Sequence, residues 1–74
     1  MEIPVRRLLS QVNGTPMRIT SVRFARLWDP PISHRLAVMR MRDLLMTPPA
    51  GYEVRELEGR HITIEIRRIH DAQH

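Results

Sequence analysis

Ser10, Ser21 and Ser33 are the candidate nucleophiles of this 74-residue chain, and His34, His61, His70 and His74 are the candidate bases that could activate them. Acyl transfer through such a pair needs the hydroxyl within hydrogen-bond reach of an imidazole that is itself held in place. Ser33 stands next to His34, but adjacent residues do not face each other on a helix, and Ser33 reads better as a helix cap. No G-x-S-x-G elbow, phosphate-cradling glycine loop or paired-carboxylate motif is present, and Gly14, Gly51 and Gly59 each have a turn to make. The acids near the C-terminus alternate with arginines, the pattern of a solvated face bearing ion pairs. The expectation is a protein that is not an enzyme, with no catalytic residue and no small-molecule substrate.

Metal chemistry has one starting point. His70 and His74 would align at i, i+4 on a helix with Asp71 between them, but a zinc site takes three or four ligands. The remaining ligands would have to come from His34 or His61, far away in sequence. Residues 70–74 read instead as a frayed polar tail, and no metal or cofactor is expected. Asn13-Gly14-Thr15 matches a glycosylation sequon, but no secretory signal accompanies it, so it reads as a turn. Without cysteine, thiolate and disulfide chemistry are excluded.

Arginine placement offers a binding chemistry. All 12 basic residues are Arg against 8 acids, for a formal net charge of +4. Residues 1–28 carry a net of +4, residues 29–49 a net of +1 and residues 50–74 a net of −1. Arg6, Arg7, Arg18, Arg23 and Arg26 are therefore candidate phosphate contacts, with Phe24 or Trp28 available to stack on bases. Against this, the spacing matches no ribonucleoprotein, zinc-finger or helix-turn-helix pattern. The all-Arg usage also fits a GC-rich coding sequence. The same region supports protein docking, because Arg, Trp, Tyr and Met are enriched in interface cores. Trp28, Phe24, Leu36, Met39 and Ile69 are the candidate partner-binding residues.

The elements that must position these residues are punctuated by proline. Asp29-Pro30-Pro31, Thr47-Pro48-Pro49 and Asn13-Gly14-Thr15-Pro16 divide the chain into four segments without internal repeats. Pro4 suits a first helical turn, and Val5, Leu8, Leu9 and Val12 recur at helical spacing. The spacing predicts a helix over residues 4–13, stopped by a left-handed Asn13-Gly14; a hairpin turning there is the competitor. Ile19, Thr20, Val22 and Phe24 favour a strand over 17–25, against a helix that would gather Phe24, Leu27 and Trp28. Ser33 caps a helix over 33–46 whose stripe is Ala37, Val38, Met41, Leu44 and Leu45. Leu36 and Met39 fall off that stripe, the first sign of a partner surface.

Strands over 52–57 and 60–69 form a β-hairpin around Leu57-Glu58-Gly59. With Gly59 in the left-handed position, Glu56 faces Arg60, Val54 faces Ile62 and Tyr52 faces Ile64. One face is then apolar through Val54, Ile62, Ile64 and Ile66, and the other is polar through Glu53, Arg55, His61, Thr63, Glu65 and Arg67. A lone hairpin is marginal in water, so residues 17–25 are expected to complete a three-stranded antiparallel sheet.

Leu, Ile, Val and Phe together number 20 of 74, above the range of disordered chains. The expected fold is α+β: one small domain over 1–74, with an N-terminal helix, a central helix and a three-stranded antiparallel sheet ending in the hairpin. The sequence has no run of apolar residues long enough to span a membrane, and the expected location is cytoplasmic. Function is expected to be non-enzymatic binding of a protein partner or a second copy, as an accessory subunit, inhibitor or phage-type regulator. The alternative is sequence-tolerant nucleic-acid binding through the N-terminal arginines.

Overall fold

A computed structural model describes residues 2–69 of the chain. Six elements succeed one another: α1 (Ile3–Ser10), β1 (Met17–Thr20), α2 (Ser21–Ala25), α3 (His34–Met46), β2 (Tyr52–Leu57) and β3 (Thr63–Arg68). The strands form an antiparallel sheet in the order β1-β3-β2, and Ile19, Ile64 and Ile66 join Val5, Leu8, Phe24, Ala37 and Met41 in the core. This is the expected α+β fold. Among the described residues no helix is long and apolar enough to cross a membrane.

α1 forms where the spacing places it, with Pro4 in its first turn and Val5, Leu8 and Leu9 buried. Its end differs from expectation. The Gln11 and Val12 amides donate to the Leu8 and Leu9 carbonyls at 3.1 and 3.0 Å, and Gln11 stays right-handed. Among the described residues Gly51 alone has positive φ, so Asn13-Gly14 is not a left-handed stop.

The expected strand over 17–25 ends at Thr20, and residues 21–25 turn into α2. Side chains alternate along a strand, and Ile19 points to the covered face. A strand running on to residue 25 would therefore carry Arg23 into the core and Phe24 into water. Turning into a helix reverses this, leaving Arg23 exposed and Phe24 fully buried. Thr20 makes the turn possible by accepting the Arg23 amide at 3.3 Å, while the Ser21 amide still donates to the Ile62 carbonyl at 2.8 Å.

α3 matches its expected span within one residue, and the Ser33 hydroxyl accepts the Leu36 amide at 3.2 Å. Ala37, Met41 and Leu44 are buried, with Val38 and Leu45 at the margin.

The hairpin keeps its faces but not its register. β2 spans the expected residues, whereas β3 begins at Thr63 rather than residue 60. Val54 pairs with Ile66, Glu56 with Ile64 and Tyr52 with Arg68, which leaves residues 58–62 as the loop. The expected Glu56–Arg60 pairing and left-handed Gly59 are both overturned. The central position of β3 supplies the reason. Its residues must satisfy two neighbours, and this register sets Glu65 between Arg18 of β1 and Arg55 of β2. It also opposes Glu53 to Arg67 and faces Ile64 and Ile66 with Ile19 and Met17. A hairpin considered alone contains only half of these constraints.

Candidate partner-binding surfaces

At about 100° per residue, the side of α3 away from its core stripe carries both apolar and charged residues. Leu36 and Met39 lie on it with 41% and 52% of their surface exposed, and Met46, seven residues after Met39, is 83% exposed. Arg35, Arg42 and Asp43 share this side. Sequence reading singled out Leu36 and Met39 and missed Met46, although its spacing from Met39 was the available signal. Ile3 and Val22 are two further exposed apolar residues that went unmarked.

Trp28 meets α3 at Arg40, one helical turn after Leu36. It is half-buried, with its ring 5.3 Å from that of Phe24 and tilted by 55°. The Arg40 guanidinium lies 5.8 Å from the same ring's centroid, within cation–π range. Arg40 Nε also approaches Glu2 Oε1 at 3.0 Å as an ion pair, without the alignment of a hydrogen bond. Phe24 was expected to contact a partner or a base, but it is fully buried and can do neither. Ile69 is half exposed in a different place: its amide donates to the Gly51 carbonyl, and it borders a shallow cleft with Asn13, Gly14, Glu53, Arg67 and Arg68. The structure thus places Leu36 and Met39 together on α3, packs Trp28 against Phe24 and Arg40, and sets Ile69 apart.

The five candidate arginines divide three to two. Arg18, Arg23 and Arg26 border one cleft of about 510 Å³, whose remaining lining is Leu8, Gln11, Met17, Ile19 and Leu27. Arg6 and Arg7 are exposed on α1 and do not line it. Arg23 and Arg26 form no ion pair among the described residues, whereas Arg18 Nε donates to Glu65 Oε2 at 3.0 Å. Arg55 Nε holds the other Glu65 oxygen at 2.8 Å. The hydrogen bond from Arg18, against the opposing effect of burial and with further help from Arg55, lowers the Glu65 pKa below its ordinary carboxylate value. The open sheet face is completed by the Arg67–Glu53 pair.

One serine–histidine pair does assemble. Ser21 Oγ and His34 Nε2 are 2.8 Å apart, with the His61 ring 6.4 Å from that of His34. Ser21 is fully buried, so the bond joins the first residues of α2 and α3. Ser10 donates to the Arg7 carbonyl and Ser33 caps α3. Among the described residues no three His, Cys, Asp or Glu side chains are grouped to hold a metal. His70, Asp71 and His74 lie outside the described residues.

No family model, curated protein or solved structure matches the chain.

Proposed function

We propose that this chain is a non-enzymatic protein-binding domain that docks through the outward face of α3, in the role of an accessory subunit, inhibitor or regulator. The observation that carries the reading is the exposure of Leu36, Met39 and Met46 along one side of a helix whose other side is already in the core. Apolar side chains three and seven residues apart make a seam that one helix of a partner can cover. Arg40, one turn after Leu36 on α3, carries its guanidinium against Trp28, and both residue types are common in interface cores. The buried hydroxyl of Ser21 supports the non-enzymatic part of the reading, because a nucleophile has to be reached by its substrate.

Nucleic-acid binding is the weaker reading. Three arginines do share a cleft, but no aromatic side chain lines it. Phe24 is in the core, Trp28 is packed against Phe24 and Arg40, and the Tyr52 hydroxyl donates to the Leu9 carbonyl at 3.2 Å.

The test is a Leu36→Ser/Met39→Ser double variant compared with wild type in pull-downs from the source cell, with and without nuclease. Unfolding stability should stay within about 1 kcal/mol of wild type, because both residues lie outside the buried core. A partner that wild type retains through nuclease treatment and high salt should be lost by the folded variant. Retention of the same partner by the variant, or its release by nuclease, would overturn the reading. Sedimentation of the purified protein distinguishes a foreign partner from a second copy.

A further inference from the structure

We propose that the cleft lined by Arg18, Arg23 and Arg26 is a second binding site, which takes an extended acidic segment of a partner protein as a fourth strand beside β1. The site is separate from the outward face of α3. Its lining includes Met17, Arg18 and Ile19, three consecutive residues of one strand. Consecutive strand residues point to opposite faces, so all three can border one space only along the strand's edge. β1 is an edge strand, paired with β3 alone.

The register says which backbone groups that edge offers. Ser21 donates its amide to the Ile62 carbonyl, continuing the β1–β3 pairing as a hydrogen-bonded pair. Such pairs alternate along an antiparallel ladder, so Met17/Ile66 and Ile19/Ile64 are hydrogen-bonded pairs and Arg18/Glu65 is not. The Arg18 amide and carbonyl, and the Thr20 amide, therefore face away from β3 toward the open edge. These are the groups that strand addition uses for affinity, while pockets for alternate side chains supply selectivity.

The chemistry of the lining selects the segment. A strand laid against β1 turns every second side chain toward the covered side, where the partly exposed Met17 and Leu27 offer apolar contact above the buried Leu8 and Ile19. Its other side chains emerge on the side of Arg18. Arg23 and Arg26, from α2 and its C-terminal end, add two cations with no acid partner among the described residues. An alternation of apolar and acidic residues offers side chains to the apolar lining and carboxylates to the arginines of the same cleft. A polynucleotide would satisfy the cations but would leave the edge amides and the apolar floor without partners.

The probe is a fluorescent synthetic peptide alternating valine and glutamate, titrated against the full chain by fluorescence polarisation. Two further peptides carry backbone N-methyl groups on one or the other alternate set of residues. A fourth replaces glutamate by lysine, and a single-stranded oligonucleotide of equal charge serves as competitor. The alternating peptide should bind, and one N-methylated set should abolish binding while the other leaves it intact, because only one set faces the β1 edge. Arg23→Ala/Arg26→Ala should weaken binding on the order of tenfold, with an unchanged circular-dichroism spectrum. The lysine peptide should not bind. Equal binding by both N-methylated sets, no loss in the arginine variant, failure of the valine–glutamate peptide to bind the folded chain, or stronger binding of the oligonucleotide would each overturn the proposal.

Discussion

Gly51 and Gly59 show at the scale of single residues how turn chemistry divides. The Tyr52 amide donates to the Pro49 carbonyl at 3.1 Å, closing a four-residue turn in which Gly51 is third, with φ +85°. That position of a type II turn requires the left-handed region, which a β-branched side chain resists. The Gly51 carbonyl then accepts the Ile69 amide at 2.9 Å, so the turn also closes the β2–β3 ladder. Gly51→Val should cost about 1–3 kcal/mol, read from urea unfolding. Gly59 has no positive φ, and a Cβ there would meet the His61 carbonyl at 3.5 Å, an ordinary contact. Gly59→Ala should therefore stay within about 0.5 kcal/mol of wild type. A reversed order of the two variants would mean that the glycine roles are wrongly assigned. The sequence marked both sites as turns but assigned the left-handed geometry to Gly59. A Gly after a short charged loop looks like a tight hairpin turn, and only the pairing with β1 lengthens that loop.

At the scale of elements, the Arg18–Glu65–Arg55 row ties three strands together through one buried carboxylate. Its two hydrogen-bonded arginines make Glu65 ionise more readily folded than unfolded. Its contribution to stability is consequently present at neutral pH and is lost as the pH falls below the ordinary carboxylate range through the depressed value. Glu65→Gln should be less stable than wild type at neutral pH, and the gap should narrow steadily on acidification. Denaturant titrations across that range measure it, and a gap independent of pH would show that the row does not act through charge. Both arginines are two-thirds exposed, so added salt should shrink the effect. The alternation of acids and arginines along β2 and β3 made the polar face legible in advance, and helical spacing did the same for α1 and α3. The split of residues 17–25 was not legible. It follows from the parity of Ile19 and Phe24 relative to a sheet whose central strand lies more than forty residues further along the chain.

At the scale of the whole molecule, a domain this small has few residues to spare for both a core and a partner. Trp28 does some of each. Its ring meets Phe24, which belongs to the core, and also Arg40 of α3. The sequence showed that Trp28, Leu36 and Met39 exceeded the needs of a regular core stripe, but not how far each would be covered. That depends on α2 forming and carrying Phe24 inward. The burial argues for two separable losses. Trp28→Ala removes a half-buried ring and should destabilise by about 2 kcal/mol, less than the loss of a fully buried aromatic. Trp28→Leu keeps apolar volume against Phe24 and should recover a good part of that stability, while lacking the aromatic face that Arg40 covers. Folding and partner retention should be measured on the same samples. If Trp28 is an interface anchor, the leucine variant will be folded and will still release the partner. If it binds as wild type, Trp28 is a core residue and the seam of Leu36, Met39 and Met46 accounts for docking alone.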